Sequence, residues 1–407
     1  AAGRSGLSGA RGVAVDFQDV DRLAEYRQGA RDWVAEHVDP QWAEQQRVSG
    51  SYHTPELHAL LAGQGWLGAG WPAEYGGTDN DPDMAAALFE ELGAAGLHLD
   101  GWATTKMISN TLLHTATEEQ KREIIGGALR GEVLIVLGYT EPDSGSDVAA
   151  AKTRSERDGD EWLINGQKMF TSTAHRATHV FMLTRSNTEV PKHKGLTTFM
   201  VPLGSAGVEI RPVYTLGGQR TNATFYTDVR VPDSARIGPV DGGWGVMHVA
   251  LVFERSGGGG GRRSGPTLAE QVATWAQRTR RDDGTRVYDD ATVKERLARI
   301  AIDAEVTRLL GMRTAWIAAT GGLPGTEGSA AKLFGAESAQ RQHWDLLDIL
   351  GSEAVLSREA DNAPLTAAVE EAFRRGVVGT IYGGSSEIMR EIVAERVLGL
   401  PRVRSRS

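Results

Sequence analysis

The spacing of apolar residues divides the chain into three blocks. From Val20 to about Arg130 they recur every three to four positions, which predicts amphipathic helices in segments such as DRLAEYRQGARDWVAEHV and DMAAALFEELGAAG. From Val133 to about Gly238 the pattern changes to short β-rich runs separated by turn residues. Helical spacing returns with GGWGVMHVALVFER and continues to the end. The order of helices, strands and helices predicts an α+β fold.

Two local patterns refine these blocks. Asp158-Gly159 and Asn165-Gly166 each predict a hairpin turn, and the strands predicted after them are THVFMLTR, LTTFMVPL, VEIRPVY and ATFYTDVRVP. Five consecutive glycines, residues 257–261, follow the first helix of the third block. Each glycine inside a helix costs about 0.8–1.0 kcal/mol relative to alanine, so this run predicts a flexible loop or a helix break. Neither common phosphate-loop motif fits it.

Composition narrows the classes of function. The 407 residues carry a formal net charge of −9, whereas nucleic-acid binding favours a basic surface. The sequence contains no cysteine, which excludes disulfides and thiol catalysis. No apolar run approaches the roughly 20 residues of a membrane span. Residues 1–18 lack an apolar signal core and are predicted to be a disordered arm, so a cytoplasmic protein is expected.

Candidate chemistry is concentrated in two polar turns. The motifs H-E-x-x-H and G-x-S-x-G are absent, and His175 and His179 fall in the β block, so no metal site is predicted. In GYTEPDSGSDVAA, hydroxyls and backbone N–H groups after a β-run could bind the edge of a planar heterocycle, although such loops are usually plain turns. In IYGGSSEIMREIV, a turn opens a helix whose free N–H groups face an anion.

Six segments in one order carry a resemblance to a known family: GWLGAGWPAEYGG, GYTEPDSGSDVAA, NGQKMFTST, GGQRTNATFYTDVRVP, GGWGVMHVALVFER and IYGGSSEIMREIVAERVLGLPR. Together they resemble the acyl-CoA dehydrogenase family of flavoproteins, in an actinobacterial type, over residues 20–402. The resemblance implies three domains and an FAD between the second and the third. These would be an N-terminal all-α domain (19–132), a β-barrel-like middle domain (133–240) and a C-terminal four-helix bundle (241–407).

The resemblance also implies which residues contact the flavin. Tyr139 and Thr140 would hold its pyrimidine side, and Ser146 would lie beside the flavin and the pantetheine of the substrate. Phe170 stands where the family has a tryptophan near the isoalloxazine ring. Ser172 corresponds to the hydroxyl that bonds flavin N5.

Further cofactor contacts come from the third block. Ser385 and Glu387 match the positions by which the closing turn contacts FAD, which makes the cofactor pyrophosphate the expected anion. Gly351, in DILGSEA, is retained from the family element Q-x-x-G-G-x-G, with Asp348 at the glutamine position. The family's Arg-x-x-Phe-Gly segment is absent, so the adenine end of FAD is expected to be held differently.

The reaction of this family requires a base that removes the Cα proton of an acyl thioester. In many members the base is a glutamate of the closing turn, at the position occupied here by Gly383. Other members carry it on a bundle helix, where the matching residue is Glu254. Arg255 then corresponds to a substrate-binding cation near the mouth of the site. The alternative is that Glu254 only pairs with Arg255 or is solvated at a helix end.

The implied activity is FAD-dependent oxidation of the Cα–Cβ bond of an acyl-CoA or acyl-carrier-protein thioester, in lipid metabolism. Bulky acyl groups such as sterol side chains are the expected substrates, and an electron-transfer flavoprotein is the expected acceptor. The expected assembly is a homotetramer or a heterotetramer with a homologue, without nucleic acid or membrane. Two alternatives are a flavin oxidase or monooxygenase that uses O₂, and a non-catalytic subunit of a heteromeric enzyme.

Overall fold

The computed structural model describes residues 23–256, 266–319 and 325–401. The segment 1–18 and the five-glycine run therefore lie outside the described residues, and so do the side chains of residues 255, 256, 318, 319 and 366. No helix within these ranges is long and apolar enough to cross a membrane.

The first part of the described chain is helical. The first helix buries Ala30 and Trp33, three residues apart on one face, as helical spacing requires. Asp81 accepts the N–H groups of Asp83 and Met84 and so begins the fourth helix. The helices are α1 (Ala24–His37), α2 (Gln41–Ser49), α3 (Pro55–Gly63), α4 (Pro82–Ala94), α5 (Asp100–Thr115), α6 (Glu118–Gln120) and α7 (Gly126–Leu129), with a π-helical turn (Lys121–Ile125) between the last two.

The central part forms one eight-stranded sheet. Its strands are β1 (Ile135–Gly138), β2 (Arg154–Asp158), β3 (Glu161–Lys168), β4 (His179–Arg185), β5 (Leu196–Pro202), β6 (Val208–Tyr214), β7 (Arg220–Pro232) and β8 (Arg236–Ile237). They are ordered β6-β7-β3-β2-β4-β5-β8, and β1 pairs in parallel with β4. Strands β4 and β5 are buried along almost their whole length, because the N-terminal helices cover the sheet there.

Of the two predicted hairpin turns, one is confirmed and one is wrong. Asp158 pairs with Glu161 across the β2–β3 turn, and Gly159 has a φ of 66°. Asn165-Gly166 lies inside β3, at a shift of register against β7. A β-carbon at position 166 would lie 2.7 Å from the α-carbon of Thr153, so this glycine permits two backbones to approach each other.

The last part is helical again. Helix α8 packs on α5, where the Phe253 ring stacks on that of His114 with centroids 5.6 Å apart. A separate apolar core joins four of the remaining helices, with Val272, Ile300 and Leu346 among its buried residues. The helices are α8 (Gly243–Ser256), α9 (Leu268–Arg278), α10 (Ala291–Ala319), α11 (Thr326–Leu350), α12 (Ala368–Gly376) and α13 (Ser386–Arg396).

Candidate active site

Glu254 is placed by the amphipathic face of α8. Met247 and Ala250 are buried on this helix, and Glu254 follows them by seven and four residues, which places it on the same face. Its side chain is half-buried rather than sealed. A carboxylate on the inward face of a helix, near the helix end, is thus directed into the protein but remains reachable.

The closing turn, residues 379–385, depends on two glycines. Gly383 and Gly384 have φ values of 63° and 89°, a region that other residues avoid. A β-carbon at position 384 would also lie 2.4 Å from Cε of Met389. The hydroxyl of Ser385 accepts the N–H of Ile388 and so begins α13. This turn projects toward α8 and α11.

The turn and Glu254 meet. A β-carbon at position 383 would lie 3.8 Å from Oε1 of Glu254, and 3.7 Å from both Cε and Nζ of Lys332 on α11. A side chain at position 383 would therefore begin beside the carboxylate that α8 supplies. The two positions that sequence reasoning named for a base therefore lie side by side, and of these two residues Glu254 carries the carboxylate.

The end of β1 faces the same carboxylate from the sheet. Tyr139 is buried, and its ring meets that of Phe181 edge to face with centroids 6.0 Å apart. Burial, and then the nearby Glu254 carboxylate, raise the pKa of Tyr139 well above its usual value. Its hydroxyl has no hydrogen-bond partner among the described residues. Tyr139 thus brings a buried polar atom to the site.

Phe170 and Ser172 lie next to the end of β1. The N–H of Met169 donates to the carbonyl of Thr140 at 2.8 Å, and the hydroxyls of Ser172 and Thr221 are 3.0 Å apart. Phe170 has a φ of 58° and 59% of its surface is exposed. An exposed aromatic ring on a strained backbone is unusual, and such strain is concentrated at binding sites.

Sequence reasoning missed a buried ion pair beside the loop that follows β1. Nζ of Lys168 donates to Glu141 at 2.7 Å and to the carbonyl of Tyr139 at 3.3 Å. Glu141 also accepts the N–H groups of Lys152 at 2.6 Å and Thr153 at 2.9 Å. The pair fixes the loop after β1 from within. The charged residues of TEPD and GQKMF were the available signal, because an acid and a lysine inside apolar surroundings must be paired.

Lys332 was also missed. It lies in SAAKLFG, a segment that helical spacing describes adequately, and no motif marks it. The structure alone brings it to Glu254 and the closing turn.

The other predicted residues lie around the site or away from it. Ser146 is exposed on the loop after β1, and Ser385 and Glu387 begin α13. Gly351 follows the far end of α11, 19 residues beyond Lys332, which is about 28 Å along a helix axis at 1.5 Å per residue. Within one chain, Gly351 therefore lies far from the other predicted site residues. The Arg255 side chain lies outside the described residues. No group of three or more His, Asp or Glu in the described ranges could hold a metal ion.

Comparison with family models covers most of the chain. Residues 21–132 match the N-terminal domain of acyl-CoA dehydrogenases, residues 136–229 the middle domain, and residues 241–398 the C-terminal domain. The order of helices, sheet and helices thus corresponds to an oxidoreductase fold.

Individual relatives extend over almost the whole length. The chain is 34% identical to acyl-CoA dehydrogenase FadE26 of Mycobacterium tuberculosis, over 93% of this chain and 97% of that protein. Among solved structures, the Tcur3481-Tcur3483 steroid ACAD is 35% identical, with a TM-score of 0.82, over 94% of this chain and 98% of that one. The ChsE4-ChsE5 complex from Mycobacterium tuberculosis is 32% identical, with a TM-score of 0.81, over 95% and 100%. The chain belongs to the acyl-CoA dehydrogenase family and is an oxidoreductase.

Proposed function

We propose that this protein is an FAD-dependent dehydrogenase that oxidises the Cα–Cβ bond of an acyl-CoA thioester, with Glu254 as the base. One observation carries the proposal. Oε1 of Glu254 lies 3.8 Å from the place where a side chain of residue 383 would begin. Glu254 therefore supplies a carboxylate at the position that a glutamate of the closing turn serves in other members of the family.

Glu254 is suited to accept the Cα proton. The α-proton of a thioester is weakly acidic, and its removal requires a base held in a site from which water is excluded. The half-buried carboxylate is enclosed by α8, the closing turn and Tyr139. Entry of an apolar acyl chain displaces water from this space and increases the basicity of the carboxylate. The proton passes to Glu254 as the Cα–Cβ double bond forms.

The residues present fit a planar cofactor with an anionic linker. The exposed Phe170 offers an aromatic face, and the buried hydroxyls of Tyr139 and Ser386 have no hydrogen-bond partner among the described residues. The pKa of Glu387 is lowered because its carboxylate accepts its own N–H and the hydroxyl of Ser385. The start of α13 therefore stabilises an anion. When bound, FAD would accept the hydride that leaves Cβ.

Two features support a bulky acyl group as the substrate. The chain is similar to the steroid ACAD Tcur3481-Tcur3483 over nearly its whole length. Gly383 also has no side chain to occupy the volume beside Glu254. We propose an electron-transfer flavoprotein as the acceptor of the electrons that the substrate gives up.

Surface composition supports an oligomer. Large apolar side chains are exposed in the last part of the chain, on both sides of the helix that begins at the closing turn; they are Val377, Val378, Ile381, Tyr382, Val397, Leu398 and Leu400. Monomeric proteins rarely expose such clusters. One of the similar structures is the ChsE4-ChsE5 complex, and another is the steroid ACAD Tcur3481-Tcur3483, which also combines two protein names. We propose a dimer or tetramer, formed with copies of this chain or with a homologue, and light scattering that gives a flavin-bound monomer would contradict it.

An anaerobic flavin titration tests the activity. The purified protein should show flavin absorbance, or gain it from added FAD, and a saturated acyl-CoA should bleach it with recovery of the enoyl product. The panel includes straight-chain and steroid acyl-CoA thioesters. A folded protein that takes up no FAD contradicts the proposal and favours the non-catalytic subunit. Rapid reoxidation by O₂ with release of hydrogen peroxide favours the oxidase.

A further inference from the structure

Lys332 links the closing turn to the bundle. Its Nζ donates to the carbonyl of Gly379 at 2.8 Å, and it lies 4.4 Å from the centroid of the Tyr382 ring. The first contact holds the beginning of the turn, and the second, a cation–π contact, holds the residue before Gly383. One ammonium group thus attaches both parts of the turn to α11.

The same ammonium faces the carboxylate. Nζ of Lys332 and Oε1 of Glu254 lie 3.7 Å and 3.8 Å from one point, the β-carbon position of residue 383. Burial lowers the pKa of Lys332, and the Glu254 carboxylate acts in the opposite direction. The other titratable group recorded against Glu254 is Tyr139, from the sheet side, which is neutral at ordinary pH. Lys332 thus brings a positive charge to the side of the Glu254 carboxylate that faces the closing turn.

The position of Lys332 meets a requirement of the proposed reaction, which is that Glu254 stays ionised. A carboxylate in an enclosed site is protonated more readily as substrate displaces water, and a protonated base cannot accept the Cα proton. A nearby opposite charge lowers the pKa of a carboxylate, which offsets the effect of water removal. Because Lys332 is itself held by Gly379 and Tyr382, its position is fixed before substrate enters.

We propose that Lys332 is a positioning residue that holds the closing turn against Glu254 and keeps Glu254 ionised while the acyl chain fills the site. The inference rests on the proposed function, because it concerns the base of that reaction. It adds a role for a residue of α11 that no sequence motif marks.

Replacing Lys332 by methionine tests this role. Lys332→Met keeps the length and apolar stem of the side chain and removes its charge. The acid limb of the pH profile of kcat, which reports the base in the enzyme–substrate complex, should move to higher pH by about one unit. Lys332→Arg keeps the charge and should leave the limb within a few tenths of a unit. Lys332→Gln provides a second neutral variant if the methionine variant folds poorly.

A matched control lies on the same helix. Arg341 pairs with Asp303 at 3.3 Å, nine residues from Lys332, so Arg341→Met removes an equal charge away from the turn. It should leave the profile unchanged. Flavin content and melting temperature are measured for every variant. An acid limb that stays in place in both neutral variants, or a uniform loss of rate with loss of flavin, overturns the proposal.

The Glu254→Gln variant separates the two proposals. If it reduces flavin at the wild-type rate, the assignment of the base fails, and Lys332 has no base to act on. If it loses reduction while the acid limb of Lys332→Met is unshifted, the base stands and the role of Lys332 alone fails.

Discussion

Two pairs of a glutamate and a lysine lie near the residues that follow β1, and they differ in how completely they are enclosed. In the inner pair the Lys168 and Glu141 side chains are 0% and 5% exposed and 2.7 Å apart. In the outer pair Lys332 and Glu254 are half-buried and face one another across Gly383. Both oxygens of the Glu141 carboxylate accept hydrogen bonds from the protein, whereas the outer pair remains partly exposed.

The inner pair is built for structure. Burial by itself would raise the pKa of Glu141, but Lys168 and two backbone N–H groups outweigh it and lower the pKa. Burial lowers the pKa of Lys168 to about 8, against the opposing effect of Glu141. Both groups are therefore charged at neutral pH, and neither has a path to exchange a proton with a ligand. The hydrogen bonds to the Glu141 carboxylate stabilise its charged form, so this group is not expected to react.

The outer pair is accessible, whereas the inner pair is not. Glu254 is near a cation, yet it remains half-buried, and a glycine rather than a side chain separates it from Lys332. A base must gain and lose a proton in each cycle, so it needs access as well as stabilisation. Both glutamates have a lysine nearby, so the degree of enclosure is what distinguishes the structural carboxylate of Glu141 from the proposed base Glu254.

The largest effect on stability should come from the inner pair. Glu141→Gln or Lys168→Met leaves a buried charge without its partner, which typically costs about 3–5 kcal/mol. Urea unfolding of the apoprotein measures it, and the double variant should cost less than the sum of the two. As a control, Asp158→Asn breaks an exposed pair with Arg230 and should cost at most about 1 kcal/mol. Equal losses in the buried and exposed variants would remove the distinction.

A pH series separates the contribution of the inner pair to stability from that of the buried histidines. Burial first, then His58 and other nearby positive groups, lower the pKa of His53 to about 3. The unfolded chain then binds a proton near pH 6.5 that the folded one refuses, so stability falls as pH decreases from 6.5 toward 3. His53→Gln should reduce this slope between pH 6.5 and 4.5 by about 1.4 kcal/mol per pH unit.

The control for the pH series is the inner carboxylate. Since the pKa of Glu141 is lowered, its contribution is present above the unfolded value of 4.5 and is lost below it. Glu141→Gln alone would leave Lys168 buried and unpaired, so the control variant is the double variant Glu141→Gln/Lys168→Met, which should keep the wild-type slope between pH 6.5 and 4.5. A slope that this double variant abolishes and His53→Gln does not would reverse the assignment.

The smallest expected effects on stability concern the two glycines of the closing turn. Alanine at either position adopts a left-handed backbone, at about 1–2 kcal/mol. At position 384 it also displaces Met389, whereas at 383 the nearest atoms are 3.7 Å away. Gly384→Ala should therefore lower the melting temperature more. Gly383→Ala should slow flavin reduction more, because its methyl group enters the space between Glu254 and Lys332; equal effects on both readouts would contradict the geometry.

Most of the fold followed from spacing alone. The predicted strands THVFMLTR, LTTFMVPL, VEIRPVY and ATFYTDVRVP correspond to β4, β5, β6 and β7. The failure at Asn165-Gly166 has a physical cause. Both a turn and a bulge need glycine, and the approach of Thr153 that selects the bulge comes from a neighbouring strand. Local sequence does not contain that contact.

The residues of the candidate site also fall into two groups, those identified from the sequence and those found only in the structure. Glu254 and Gly383 were identified from motif order, and the structure places them side by side. Lys332 and the Glu141–Lys168 pair were not identified, because their partners are 27 or more positions away in the chain. Gly351 could be named from its motif but not located, since helix length carries it to the far end of α11. Its role in cofactor binding remains a prediction.

The central claim is that Glu254, unlike Glu141, exchanges a proton with substrate. The measurement that tests it most directly is the rate of flavin reduction by acyl-CoA in Glu254→Gln, observed by anaerobic rapid mixing. Glutamine is nearly isosteric, so flavin content and melting temperature should stay at wild-type values. The reduction rate should fall by about 10²–10⁴-fold, because the neutral amide cannot accept the Cα proton. A flavin-bound Glu254→Gln protein that is reduced at nearly the wild-type rate would contradict the account.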